Sequence, residues 1–423
     1  MNKYQHIIGR AQYIVFLAFL ALLPFPQVLL RYACVLWLLL WFMEGRWLSR
    51  ANLNLQPSRY RLAIPFLLFG LWFGYKLLSG LWAGNTEAWS AQIERYLSFG
   101  LLIPIGLWGV NEQYDWHQAG RVLVISCVAA VPLYILWLAA LYFHPDWVQY
   151  LSLSEPWTYH TNWWVFLSEN ISQFKHRLYF CSVELFGAIV ANFVYRKRLI
   201  VLIPALLVML STIPLTASRQ SILTCAALVA VGMIYALPSR YRLRYGIGIL
   251  LLGIVIGGGV LMLHPRMQAF NFQAITEIRN ISYTHDVRFN IWGTALQHPE
   301  DYIEHGLGAG QSWVYLMEQY KQVGLDYYAE VHYNCHNQYL EELMEGGIIG
   351  LVLFLMAWLS LLICSYPKTR EMAWLVVLLF MMNMTTECVF GRFDGVALWV
   401  GSMLLLLIYH TRVGLKTDTQ GKQ

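Results

Sequence analysis

The chain has 423 residues, 58% of them apolar and only 13% charged, with a mean hydropathy of +0.48, which leaves too little polar surface for a water-soluble fold. The net charge of +5 is small for this length, and the basic residues fall in short clusters between apolar runs, a pattern that argues against nucleic-acid binding. Six of the seven cysteines (Cys34, Cys127, Cys181, Cys225, Cys364 and Cys388) fall inside apolar segments and read as small hydrophobes; only Cys335 lies near a loop, so no disulfide framework is expected.

The first apolar stretch, Tyr13 to Leu23, lacks a small-residue cleavage site and reads as a retained anchor. Pro24 and Pro26 separate it from the next stretch, so a helical hairpin or one broken helix is expected there. Runs long enough to span hydrocarbon occur at Arg10 to Leu23, Gln27 to Met43, Ala63 to Trp82, Gln92 to Val110, Arg121 to Phe143 and Leu178 to Tyr195. Six more follow at Leu199 to Leu215, Arg219 to Leu237, Tyr245 to His264, Asn337 to Cys364, Met372 to Phe390 and Val396 to Tyr409.

Short loops rich in Lys and Arg stay in the cytoplasm. Arg46, Arg50, Arg59 and Arg61, then Arg196 to Arg198, Arg240 to Arg244, and Lys368 with Arg370 all fall on one side if every run spans. Both termini are then cytoplasmic, and His144 to Arg177 and Pro265 to His336 face outward. The expected division is residues 1–264 with nine helices, 265–336 as the large outward loop, 337–410 with three helices, and 411–423 as a cytoplasmic tail. Within the loop, Asp286 to Gln297 has helical spacing with Asp286 as N-cap, and reads as an amphipathic surface helix.

A charge at a helix centre costs roughly 2.5–3.5 kcal/mol on insertion scales, so placement is informative. Lys76, Arg95, Glu184, Arg219, Glu387 and Arg392 all fall toward outward helix ends. Snorkelling to headgroups explains Lys76 or Arg392 alone as well as function does; six on one side make a polar face. Arg219 begins a helix that enters from outside, where the positive dipole end already disfavours a cation, an arrangement that suits a phosphate lying between them. Arg288 repeats that logic, although pairing with Asp286 or stacking on Trp292 would also account for it. His336 lies beside the start of a third such helix, whose dipole favours the neutral imidazole, able to take a proton from a hydroxyl. The alternative is a metal-ligand face of His332, Cys335 and His336 at helical spacing. Glu345 to Gly350 sets small residues three apart, which favours close helix packing.

Taken together, Thr216-x-Ser218-Arg219, Arg288-x-x-x-Trp292, Gly306-Leu307-Gly308-Ala309-Gly310, and His336-Asn337 with Glu345-x-Gly347-x-x-Gly350 resemble the O-antigen ligase and polymerase superfamily of bacterial inner membranes. The motifs cover Leu199 to Cys364; the first six helices carry none. The resemblance implies an all-α, GT-C-like integral membrane glycosyltransferase of about twelve transmembrane helices with one large periplasmic loop containing short helices. It implies an O-antigen ligase that moves a polysaccharide from undecaprenyl diphosphate to a sugar hydroxyl of lipid A-core at the periplasmic face, inverting, with no cofactor and no required metal. Arg219 and Arg288 would then hold the donor diphosphate and His336 would serve as base, with Asn337, Glu387 and His332 as candidates for orienting it or binding acceptor. An O-antigen polymerase joining lipid-linked repeats is the runner-up. A polyprenyl-lipid or solute transporter is the alternative from another class, which charges gathered at one face disfavour.

Overall fold

The structure, a computed structural model, describes residues 3–45, 57–108, 110, 113–144, 166, 170, 175–216, 218–263, 287–367 and 369–420. Asp286, Arg46, Arg50 and Lys368 lie outside the described residues, as do 265–285 and most of 144–177. Among the described residues every regular element is helical.

The expected hairpin forms: α1 (Lys3–Leu22) and α2 (Gln27–Glu44) are separate helices that pack on each other. The break needs partners, because prolines cannot donate and carbonyls of the preceding turn are left open. Lys175 supplies them, donating to the carbonyls of Leu23 (2.8 Å) and Phe25 (3.3 Å) while its charge pairs with Asp394 at 2.7 Å.

Next come α3 (Pro57–Leu78), α4 (Thr86–Trp108) and α5 (Trp116–Phe143), the last begun by Asp115, whose carboxylate caps the amides of His117 and Gln118. They are followed by α6 (Arg177–Tyr195), α7 (Leu199–Leu210), the single turn α8 (Thr212–Thr216), α9 (Arg219–Ala236) and α10 (Ser239–Leu263). The loop contributes three short helices, α11 (Val287–Ala295), α12 (Gln311–Gln322) and α13 (Asp326–Glu330). The chain closes with α14 (Gln338–Cys364), α15 (Arg370–Met384) and α16 (Phe393–Gln420). Nine candidate spans among the described residues are long and apolar enough to cross a membrane. Among the described residues helices cover most of each of the twelve apolar runs, but Leu199–Leu215 is divided between α7 and α8, the Met372–Phe390 run outlasts α15, and α4, α10 and α15 are not among the nine, α15 having only 15 residues.

The core is aromatic. Phe69 and Trp72 of α3, Phe99 of α4, Trp358 of α14 and Trp399 of α16 interlock, with Phe99 and Trp399 centroids 4.1 Å apart. Phe390, just past α15, is fully buried among them, 4.7 Å from the Phe99 ring. A second, smaller core holds the loop together on top of α14: Ile291, Tyr302, Leu316, Tyr320, Tyr328, Leu340 and Met344 pack there with Cys335 and Cys388. α11 is not a one-faced surface helix, since Asn290, Ile291, Gly293, Thr294 and Ala295 are all buried.

The loop docks through a break in α14. Gly347 has φ 60° and ψ −163°, outside helical space and open in practice only to glycine. The freed backbone pairs with the loop: Leu307 N donates to Met344 O (2.8 Å), Gly308 N to Glu345 O (2.9 Å) and Ile348 N to Ile303 O (2.8 Å). A Cβ on Gly306 would sit 2.4 Å from Glu345 O, so the two glycine motifs exist for each other. Gly346 and Gly350 meet Tyr75 of α3, which is the close packing the small-residue spacing anticipates.

Candidate active site

Four segments distant in sequence converge on the last turn of α15 and the turn that follows it. Gln220, one residue into α9 past Arg219, donates its amide to the carbonyl of Met382. Arg288 in the first turn of α11 donates Nε to the carbonyl of Thr386 at 3.3 Å, rather than being held only by its own helix. Tyr339 in the first turn of α14 reaches Met381 O (2.8 Å), and Tyr179 of α6 reaches Cys388 O (3.5 Å) and Val389 O (3.4 Å). Residues 381–389 therefore act as the common seat for the starts of α6, α9, α11 and α14.

Arg219 is the first residue of α9, directly after the N-cap Ser218, whose hydroxyl accepts from Ser221 N. It is partly buried, as is Arg288. Two guanidiniums thus stand at helix starts whose free amides and dipoles add to their positive field.

His336 precedes the N-cap of α14. Asn337 is that cap, its side chain accepting from Tyr339 N and Leu340 N, and Asn334 holds the His336 amide at 3.0 Å. Its own backbone has φ 43°; it and His332 are the two non-glycine residues with positive φ among those described. Strain of this kind persists where surroundings over-determine it, and functional sites are frequent hosts. The His336 ring meets Glu387, with Nδ1 and Oε2 3.3 Å apart and the side chains 21% and 3% exposed.

Burial pushes the Glu387 carboxyl up, but the hydrogen bond from His336 and the charges of His336, His176 and Arg392 outweigh it and hold the group below its ordinary value. Glu387 is then an acceptor, so the contact calls for a proton on Nδ1 and leaves Nε2 as the nitrogen turned away from the carboxylate. That is the arrangement of a base oriented by a carboxylate.

Sequence reasoning placed Glu387 at the outer end of a helix; α15 instead stops at Met384 and Glu387 sits in the turn. Cys388, read as an intramembrane hydrophobe, lies in that turn as well, 3.3 Å from Cys335 Sγ to Sγ. The metal-ligand face of His332, Cys335 and His336 does not form, because α13 ends at Glu330 and α14 starts at Gln338. His332 is exposed, its ring edge-on to Trp313 and apart from the Glu387 pair.

Of the remaining outward charges, Lys76 does not snorkel. It is fully buried between Glu342 and Glu345, 2.9 Å from each, while Glu345 also accepts from Gly310 N (2.9 Å) and Ser312 Oγ (3.0 Å). Gln338 joins this group to the seat, donating to Glu341 and Glu342 and accepting from Phe390 N at 2.9 Å. Glu184 is buried in α6, and Arg95 and Arg392 are exposed.

Residues 204–355, from within α7 to within α14, match the family model described as O-antigen ligase. The matched segment contains Arg219, Arg288 and His336 and ends before Glu387, and it supports the superfamily that the motifs resemble. No curated protein matches the chain significantly.

Proposed function

We propose, with the O-antigen ligase superfamily as premise, that this chain is an O-antigen ligase that transfers a polysaccharide from undecaprenyl diphosphate to a sugar hydroxyl of lipid A-core at the periplasmic face of the bacterial inner membrane. The observation that carries the reading is the convergence on residues 382–387 of the start of α9, through Gln220 beside Arg219, of Arg288 itself, and of His336 through the Glu387 carboxylate. His336 takes the proton of the acceptor hydroxyl at Nε2, and Glu387 stabilises the imidazolium that forms. The hydroxyl oxygen attacks the anomeric carbon as the bond to diphosphate breaks, which inverts that centre. Arg219 and Arg288 take up the charge that builds on the leaving diphosphate, helped by the amides at the starts of α9 and α11. In this assignment the reaction has no need of a metal ion. Asn337 acts as the cap that sets where the His336 ring stands, and His332 is left to contact acceptor at the exposed rim. The twelve-helix, GT-C-like architecture belongs to the same reading.

A deletion strain tests it. Loss of a ligase leaves polymerised glycan on the carrier lipid and bare core on the surface, whereas core capped with a single repeat would assign the chain as a polymerase instead. In complementation, Arg219→Ala and Arg288→Ala are each expected to reduce transfer by about 10²-fold or more. Arg219→Lys should recover little of it, because an ammonium cannot make a bidentate contact to a diphosphate; full recovery would reduce Arg219 to a charge anchor.

A further inference from the structure

Cys335 and Cys388 are 53 residues apart in sequence, yet their Sγ atoms lie 3.3 Å from each other, both side chains all but fully buried. Each immediately adjoins a member of the proposed catalytic pair: Cys335 precedes His336, and Cys388 follows Glu387. We propose that Cys335 and Cys388 are joined by a disulfide in the mature protein, a covalent staple that holds the His336 turn against the Glu387 turn. The proposal rests on the outward orientation given above, since structural disulfides persist in oxidising compartments. Rotation about the two Cα–Cβ bonds has only to close the gap to the ~2.05 Å of an S–S bond.

The oxidant is a protein or small-molecule disulfide of the exchange class. One cysteine thiolate attacks a donor sulfur, forming a mixed disulfide and releasing one donor thiol. The second cysteine, having lost its proton, attacks the mixed disulfide and releases the other, so the donor leaves with both electrons as two thiols. Burial raises both thiols above their ordinary range, so exchange belongs to the stage before the loop packs down. The product is neutral and suits this buried site, where Cys335 Sγ otherwise reaches Asn337 O at 3.2 Å. A Glu341 carboxylate completes a group of three ligand atoms within 4.8 Å, so a bound metal is the rival occupant.

Full-length protein in its membranes, denatured with a mass-tagged maleimide, decides between them. Two of the seven cysteines should react only after reduction, and Cys335→Ser or Cys388→Ser should each leave the other reactive without reductant. Reaction of every cysteine without reductant overturns the proposal, and so does release of the pair by a chelator alone. Glu304→Cys, at an exposed loop position, labelled in intact cells with an impermeant maleimide separates the premises. Labelling there together with free thiols overturns the staple alone, while no labelling together with free thiols overturns it by overturning the orientation. Cys335→Ala/Cys388→Ala is expected to lower kcat about tenfold with KM unchanged, by misplacing the base; an unaltered kcat would remove the positioning role.

Discussion

His336 carries a backbone constraint as well as a ring, and substitutions have to separate the two. Asparagine tolerates the left-handed region better than alanine does. His336→Asn is therefore expected to express and melt like the parent while transfer falls about 10²–10⁴-fold, the usual share of a general base. Transfer within a few-fold of normal in that variant would end the assignment. Glu387→Gln keeps the shape but no longer dictates which imidazole nitrogen holds the proton, and a loss of roughly 10–100-fold is expected. With both changes together the losses should not multiply, because the pair works as a unit.

The same carboxylate makes a pH prediction. Its pKa in the folded protein lies below the ordinary 4.5, so the unfolded chain binds the proton more readily. Stability from ionised Glu387 is thus fully present above about pH 4.5 and is lost as pH falls through the folded value. Melting curves of detergent-purified protein should show an acid-side drop that is smaller in Glu387→Gln than in the parent.

At the scale of elements, the junction of α3, α14 and the loop rests on one buried cation between two buried carboxylates. Removing the cation alone leaves uncompensated charge, so Lys76→Met is expected to destabilise by about 3–5 kcal/mol, read as lost folded yield and a lower Tm. Lys76→Met/Glu342→Gln/Glu345→Gln should recover most of that loss, since the amide oxygens can still accept from Trp72, Gly310 and Ser312. If the triple variant fares worse than the single one, charge is not what holds the junction. Hydropathy located these helices well, because lipid demands long apolar runs whatever the partners are. It could not pair Lys76 with Glu342 and Glu345, which lie more than 260 residues further along the chain. It also carried the α15 run on to Phe390, since an aromatic residue buried in a core reads like one that faces lipid.

Across the whole molecule, helix ends sort onto two faces. Arg196 meets Glu371 at the start of α15, whereas His176, at the opposite end of α6, lies close enough to Glu387 to act on its charge. The face with Arg196, Lys197 and Arg198 is the basic one, and cysteines at Lys197 and His305 should label from opposite sides of the membrane. Labelling of both from one side would break the orientation argument. Arg219, Arg288 and His336 could be named as candidates from the sequence because helix starts and motif spacing mark them. Glu387 could be named only as one of three candidates for orienting the base; its contact with His336 was not legible, because it spans 51 residues and depends on where α15 stops.

The seat at 381–389 receives its visitors through main-chain oxygens: those of Met381, Met382, Thr386, Cys388 and Val389. A peptide carbonyl is the same whichever side chain it carries. Apart from Glu387 and Cys388, whose side chains meet His336 and Cys335, sequence drift along this stretch can therefore proceed with little effect on how the starts of α6, α9, α11 and α14 are mounted, provided the path of the chain is kept. Two such proteins can share this mounting with few identical residues in it, so kinship at the turn is better sought by superposing backbones than by aligning letters.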